Sequence, residues 1–440
     1  MNVLKFGGTS VGSPERIKGV AELISHDKQR KIVVLSAMSG TTNTLVEIAD
    51  YFRKRNIESA NSIINRLRRV YAKHLEELYT DEALRKETEL KIDEIFGFLH
   101  SFSTKDWEET AEKAILSQGE LMSTNMLCNY LREKGIKVRL ISAFDYMRID
   151  ENGEPMMRPI TDYWKPLLKE DKETQIFLTQ GFICLNPKDE IDNLQRGGSD
   201  YTACLIGAAL KLKEIQIWTD IDGMHNNDPR FVENTRPVRQ LNFEEAAELA
   251  YFGAKILHPT CIQPARYAGV PVRLLNTMEP TAPGTLINNE MQGGSIKAIA
   301  AKDNITAIKI VSSRMLLATG FLRKIFEIFE QNKTSIDMIT TSEVGVSLSI
   351  DNTSRLDPIL EALRECGTVE VDRDMCIICV VGDLKTDNTG FESLATEALS
   401  KIPLRMISYG GSNHNISFLV KKEYKEAALK SLSKILFPNS

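Results

Sequence analysis

Met1-Asn2-Val3-Leu4-Lys5-Phe6-Gly7-Gly8-Thr9-Ser10 opens the chain as a short apolar strand running into a lysine, two glycines and two hydroxyls. Adjacent glycines at a strand end let backbone N–H groups approach an anion with no Cβ in the way. A helix pattern over 14–25 follows, so lysine, Gly-Gly turn and helix start together describe a phosphate cradle. It is not a Walker A loop, because the lysine precedes the glycines. The competing reading is a buried strand with a tight turn. Residues 31–36 (KIVVLS) supply the next strand, and strand–helix–strand is the βαβ unit of parallel α/β sheets, whose ligands sit at strand C-terminal ends.

The second strand runs into Ser36-Ala37-Met38-Ser39-Gly40-Thr41-Thr42-Asn43, another small, hydroxyl-rich loop entering a helix. Such loops cap helices in any case, and the two loops would lie side by side at one sheet edge. Residues 51–130 carry apolar residues at three- and four-residue spacings, over 57–78 and again over 82–102, a helical pattern. Within it, Ser117-Gln118-Gly119-Glu120 starts an apolar helix. Glu120 there either complements the helix dipole or holds a ligand ammonium.

Strands return at 137–141 and 175–179, with Gly181-Phe182-Ile183 after the second. A polar excursion, 186–193, leads to Leu194-Gln195-Arg196-Gly197-Gly198-Ser199-Asp200 and a helix over 201–210. This second Gly-Gly turn mirrors the first. Asp200 is placed as a helix cap, while Arg196, Ser199 and Asp200 together also offer an anion clamp, a donor and a charge orienter. A strand at 215–220 ends in Thr219-Asp220. A loop with His225 and Arg230, a helix at 243–251, Phe252-Gly253-Ala254-Lys255 and a strand at 270–275 follow. Arg230 and Lys255 read either as phosphate contacts or as solvated charges.

The 440 residues exceed one hydrophobic core and predict two or three domains. A net charge of -5 and a pI near 5.9 exclude a nucleic-acid surface as the main business. No apolar run approaches the ~20 residues of a membrane span. The N-terminus passes straight into a strand without a signal segment, and seven scattered cysteines suit a reducing compartment, so a cytoplasmic location is expected. Cys376 and Cys379 have C-x-x-C spacing inside an apolar run, where strand alternation puts them on opposite faces as core thiols.

Prolines and glycines over 280–294 mark the end of the first domain. Beyond them a strand–helix–strand–strand–helix pattern occurs twice. The first copy has strands at 305–311, 335–342 and 344–351 with helices at 320–331 and 356–366. The second has strands at 376–381, 404–409 and 415–420 with helices at 390–400 and from 423. This is a ferredoxin-like pair. The expected domains are 1–290, 303–372 and 373–440, with 295–302 available to complete either small sheet.

In order along the chain, KFGGTSV, SGTTN, GELMS, QRGGSDYTA, IWTD, DPR, FGAKILHP, GFL and ITTSEV resemble the aspartokinases. The resemblance is to the monofunctional, feedback-regulated kind. It spans nearly the whole chain and implies an amino-acid-kinase fold, a mainly parallel central sheet with helices on both faces, followed by a tandem pair of ferredoxin-like (βαββαβ) ACT domains. It also implies transfer of the ATP γ-phosphoryl group to the β-carboxylate of L-aspartate, the first step of lysine, threonine and methionine biosynthesis.

By motif, the resemblance puts Lys5 on the transferring phosphoryl, oriented by Asp200. Gly7, Gly8, Ser10, Thr219, Asp220, His225, Arg230 and Lys255 stand at the nucleotide. Thr42, Glu120, Arg196 and Ser199 stand at aspartate, with Arg196 on a carboxylate and Glu120 on the ammonium. Mg²⁺ would arrive with ATP, held by phosphates and water, so no protein ligand is assigned. Met315, Ala318, Phe321, Leu322, Ser335, Ile336, Asp337, Ser342, Glu343 and Val344 resemble an effector surface for lysine first and threonine second. The resemblance further implies a homodimer, or a tetramer, paired through the ACT domains. Two departures stand out: His225-Asn226-Asn227 replaces a tyrosine-bearing loop ahead of Asp228-Pro229-Arg230, and Asp192-Asn193-Leu194-Gln195 replaces Thr-Thr-Leu-Gly. The rival readings are another kinase of the same fold and an amino-acid sensor with an inactive kinase half.

Overall fold

A computed structural model describes the chain except residues 195–196, 254–256, 292, 294, 316–318, 385–389 and 439–440. It divides into two compact units, Met1–Met224 with Ile256–Asn289, and His225–Lys255 with Glu290–Ser440.

The strands of the first unit are β1 (Asn2–Phe6), β2 (Lys31–Leu35), β3 (Val138–Ile141), β4 (Ile176–Gln180), β5 (Ile183–Leu185), β6 (Ile191–Asn193) and β7 (Ile215–Thr219). After β8 (Gln240–Asn242), which falls in the second unit, come β9 (Val272–Asn276) and β10 (Thr285–Asn288). Within the first unit the sheet order is β3-β4-β2-β1-β7-β9-β10. Pairing is parallel throughout except for β10 on β9. Central strands β2 and β4 are buried at every position, as parallel strands covered on both faces must be. Tyr71, Phe96 and Leu127, from the helices Ile57–Leu78, Glu82–Ser101 and Gln118–Glu133, share one core with Leu4, Phe6 and Leu35 of the sheet. Beside β1 lie its successor β2 on one side and the later β7 on the other. The connections therefore diverge there, at the C-terminal ends of β1 and β7, the place where open α/β sheets take their ligands.

The second unit is built on a six-stranded antiparallel sheet. Its strands are β11 (Ile296–Val311), β12 (Met338–Thr341), β13 (Gly345–Ile350), β14 (Thr368–Gly382), β15 (Met406–Tyr409) and β16 (Asn415–Lys421), in the order β12-β13-β11-β14-β16-β15. The two ferredoxin-like patterns share their central strands, which the sequence reading treated as separate. Residues 296–302 of β11 pair with 377–382 of β14, and 307–311 pair with 368–372. Each strand turns through one left-handed residue at the changeover, Asn304 (φ 62) and Asp374 (φ 54), where the register slips. Asn and Asp are the side chains that tolerate this region.

The expected division near residue 290 differs from the compact units, because 225–255 belongs with the C-terminal sheet. Val232 sits in the core built by Cys376, Phe418 and Leu429. Ile299 donates its N–H to the Asn226 carbonyl at 2.9 Å. Asn415 bonds Glu248 on the helix Phe243–Tyr251 at 2.5 Å. Cys376 and Cys379 are both fully buried, and burial lifts the Cys376 thiol to about 12. Among the described residues, no helix is long and apolar enough to cross a membrane.

Candidate active site

Three loops converge at the ends of β1, β2 and the β6 hairpin. Gly7 donates its N–H to the Trp218 carbonyl of β7 at 3.2 Å, and Ser39 donates to the Gly8 carbonyl at 3.1 Å. The loop after β1 is thereby held between its neighbours. A Cβ on Gly8 would stand 2.8 Å from the Ala37 carbonyl oxygen, so only glycine permits this approach. Gly7 spends its N–H inside the fold and is not a free anion donor, which corrects its expected role. Lys5, on β1, brings Nζ to 2.7 Å from Asp200 Oδ1, both side chains 12% exposed. Asp200 Oδ1 is buried and makes no directed hydrogen bond, so charge holds the pair.

Asp200 reaches Lys5 because its helix, Gly198–Leu210, begins earlier than the expected 201. Gly197 (φ 74) is the N-cap and no side chain caps the helix, so the capping alternative for Asp200 is not realised. The turn is packed without slack: a Cβ on Gly197 would meet Cys261 Sγ at 2.6 Å, and one on Gly181 would meet the Ser199 side chain at 2.5 Å. Phe182, in the left-handed region at φ 67, donates its N–H to Thr202 Oγ1 at 3.0 Å.

Glu120 enters from the helix Gln118–Glu133. A Cβ on Gly119 would stand 2.6 Å from the Ala37 Cβ, so the helix lies flush on the loop after β2. Ser123 Oγ donates to the Ser36 carbonyl at 2.9 Å, and the Ala37 N–H donates to Glu120 Oε1 at 3.0 Å. The residue is 4% exposed, and its Oε2 is buried with no hydrogen-bond partner. Burial pushes the carboxyl from 4.5 up to about 8, against the opposing pull of the Ala37 amide and Lys5. Lys5, Gly8, Thr42, Glu120, Phe182, Ser199 and Asp200 line one cavity of about 270 Å³, together with Ser36–Gly40, Asn43, Gly197 and Gly198.

The other expected site residues fall elsewhere. Ser10 does not line this cavity: it is fully buried, and its hydroxyl pairs with Thr277 Oγ1 at 2.7 Å as a fastener between distant segments. Thr219 ends β7 and Asp220 follows it, its N–H donating to Thr219 Oγ1 at 2.6 Å. His225 and Arg230 belong to the second unit. There Arg230 forks onto Asp228, with Nε–Oδ1 at 2.9 Å and Nη2–Oδ2 at 2.7 Å, and His225 Nδ1 meets Thr235 Oγ1 at 2.9 Å. The Asn226 and Asn227 beside it are buried fasteners: Asn226 Oδ1 accepts the Arg236 N–H, and Asn227 donates to the Leu429 carbonyl. Arg196, Lys255 and Ala318 lie outside the described residues. Sequence reasoning missed Phe182, Ser39 and Asn43 in the cavity wall; only the small-residue loop 36–43 signalled the latter two.

In the second unit, Met315, Phe321 and Ile336 pack on one core. Leu322 follows Phe321 at the start of the helix Phe321–Gln331, Ser335 precedes β12, and Ser342, Glu343 and Val344 make the turn from β12 to β13. Asp337 anchors this region. Its Oδ1 accepts from Tyr251 Oη at 2.6 Å and Lys302 Nζ at 2.8 Å, and Lys302 also reaches Asp351 Oδ2 at 2.9 Å. The ammonium sits 4.1 Å from the Tyr251 ring centroid. Asp337 Oδ2 is buried without a hydrogen-bond partner. Burial raises the Asp337 carboxyl above its usual range despite Lys302 and Tyr251.

The amino acid kinase family model matches residues 1–276, and an ACT domain model matches 378–436. The lysine-sensitive aspartokinase 3 of Escherichia coli is 32% identical over 99% of this chain and 99% of its own length. The chloroplastic aspartokinase 1 of Arabidopsis thaliana is 34% identical over 99% and 80%. Among solved structures, E. coli aspartokinase III in complex with aspartate and ADP (R-state) superposes with a TM-score of 0.83 at 32% identity, covering 99% of this chain and 100% of that one. The same enzyme in complex with lysine and aspartate (T-state) gives 0.81 at 32% identity, covering 99% of each chain. With the Lys5–Asp200 pair, the two glycine turns and the shared ACT sheet in place, this chain belongs to the aspartokinases, aspartate kinases with an amino-acid-kinase domain followed by C-terminal ACT domains.

Proposed function

We propose that the cavity between Glu120 and the Lys5–Asp200 pair holds L-aspartate, with its ammonium on Glu120 and its β-carboxylate toward Lys5. The observation that carries this reading is Glu120 Oε2, a buried oxygen without a partner in a cavity that also contains a lysine. An amino-acid ammonium supplies the missing partner and ionises the carboxyl. Thr42 and Ser199 offer hydroxyls along the same wall.

The nucleotide lies over the C-terminal ends of β1 and β7, beside Lys5, Gly8, Thr219 and Asp220. The aspartate β-carboxylate is ionised at neutral pH and attacks the γ-phosphorus. A new O–P bond forms, the bridging β–γ O–P bond breaks, and ADP leaves without a proton having to move. Positioning and charge neutralisation therefore supply the rate. Lys5 meets the charge on the phosphoryl oxygens, and Asp200 keeps its ammonium on that line. Mg²⁺ would arrive on the ATP phosphates, held by them and by water. Mg²⁺ so bound adds neutralisation at the phosphates.

The surface around Asp337 is read as the effector site, for lysine first and threonine second, consistent with the lysine-sensitive relative and its lysine complex. The enzyme is further proposed to be cytoplasmic and to pair as a homodimer through its ACT domains. ADP release with ATP and Mg²⁺ tests the reading, comparing L-aspartate, L-glutamate and no acceptor. Release above background with aspartate alone supports it; equal rates in all arms contradict it. Unchanged rates at millimolar lysine and threonine contradict the effector assignment.

A further inference from the structure

The strand before the second glycine turn is fastened to the start of the Glu120 helix by side chains that the reaction itself does not use. Lys113, on the helix Ala111–Leu116, places Nζ 2.6 Å from Asp192 Oδ2 in β6. Asp192 is 8% exposed and Lys113 45%, so the carboxylate is the buried member. Asp192 Oδ1 accepts the Asn193 N–H at 2.6 Å. Asn193 Nδ2 donates to Ser117 Oγ at 2.8 Å, and that hydroxyl donates back to the Lys113 carbonyl, also at 2.8 Å. Ser117 is fully buried and stands three residues before Glu120.

From the other end, Leu194 donates its N–H to the Phe182 carbonyl at 2.7 Å, and a Cβ on Gly198 would stand 2.6 Å from the Phe182 ring. A continuous path thus runs from Glu120 through Ser117, Asn193 and Phe182 to the turn that carries Ser199 and Asp200. It joins the two walls of the substrate cavity.

We propose that Asp192 and Asn193, held by Lys113 and Ser117, are positioning residues that set the separation between Glu120 and the Gly197–Asp200 turn, and so determine how well the cavity grips its amino-acid substrate. The proposal rests on the reading of Glu120 as the ammonium partner. Lys113 and Asp192 supply the fixed charge, and Asn193 supplies directionality through a half-buried amide. Because misplacing a positioning group by about 1 Å can cost up to ~10²-fold, loosening the fastener by one bond is expected to raise KM for aspartate by about tenfold. The path touches the nucleotide side only at Asp200, which pairs with Lys5; Gly8 after β1, Thr219 at the end of β7 and Asp220 after it lie off the path.

Steady-state kinetics of Asn193→Ala, Lys113→Met, Lys113→Arg and Glu120→Gln in the full chain test this. The first two should raise KM for aspartate about tenfold, with KM for ATP within about twofold of wild type. Lys113→Arg keeps the charge and should restore wild-type values. A merely structural fastener would lower Tm without changing KM for aspartate, or would change both KM values together; either result overturns the proposal. Should Asn193→Ala fail to fold, Lys113→Met decides, since its exposed end leaves the core intact. If Glu120→Gln raises KM for aspartate but neither fastener variant does, the positioning role alone fails. If Glu120→Gln has no effect, the substrate reading falls and this proposal with it.

Discussion

Glu120 and Asp337 are built alike and compensated differently. Each carboxylate has one oxygen engaged by the protein and one oxygen buried without a hydrogen-bond partner. Glu120 has only a backbone N–H on its engaged oxygen, and its charge waits for a ligand. Asp337 already has Lys302 at 2.8 Å and Tyr251 at 2.6 Å. A proposed substrate site whose one cation, Lys5, is already paired with Asp200 favours the neutral acid until the ammonium arrives, so substrate binding is coupled to proton loss. The proposed effector site, with Lys302 already on its carboxylate, has part of its compensation built in, so an incoming ammonium is expected to compete with Lys302 for Asp337.

The largest expected effect lies outside both carboxylates and gauges the chemistry that Glu120 serves. Lys5→Ala should lower kcat by about 10³-fold, the scale of removing a preorganised charge from a transition state. Its thermal unfolding and lysine binding should stay close to wild type. Near-normal ADP release by Lys5→Ala would show that the first glycine turn is not the phosphoryl site.

Glu120→Gln comes next, since a buried hydrogen bond to a charged group is worth about 1.5–3 kcal/mol. KM for aspartate should rise by about 10- to 100-fold. The same substitution tests the compensation itself through stability. In the ligand-free enzyme the Glu120 pKa is raised from 4.5 to about 8, so the folded state holds a proton that the unfolded state releases. Stability from this group is complete below pH 4.5 and is lost as pH rises through about 8. Glu120→Gln should therefore resist denaturant better than wild type at pH 8 and lose that advantage at pH 5. An equal pH slope in the two proteins would contradict the buried, uncompensated state of Glu120.

Asp337→Asn keeps the shape of the effector site and removes its charge. It should raise the lysine concentration for half-inhibition by about tenfold or more while leaving kcat nearly unchanged. Lys302→Met has the smallest effect and the opposite sign. With the competing cation gone, half-inhibition should need several-fold less lysine. Weaker inhibition in Lys302→Met would mean that Lys302 assists the effector and does not compete with it.

Local patterns carried the parts of the site that local chemistry determines. Gly8, Glu120 and Asp200 stand at motif positions whose residue types alone restrict what the backbone can do, and β1–helix–β2 follows from hydrophobic spacing. What escaped was tertiary. Ser10 looked like a loop hydroxyl, and its partner Thr277 lies 267 residues away. Gly7 looked like an anion donor, and its N–H goes to β7. Residues 191–193 read as a polar excursion because three residues are too few to show a strand period. Asn304 and Asp374 lie just outside the strands expected from 305 and 376, yet each sits within a continuous strand. The segment 225–255 could not be assigned by composition, because its grouping depends on bonds such as Asn227 to Leu429.

Glu120 is proposed to stay protonated until aspartate's ammonium ionises it. With burial raising its carboxyl to about 8, the ligand-free enzyme mostly carries that proton at pH 7. Calorimetric titration of aspartate at pH 7, in two buffers of different ionisation enthalpy, counts the protons exchanged on binding. Net proton release on aspartate binding is expected from the wild type and none from Glu120→Gln. Equal proton counts from the two proteins would contradict it.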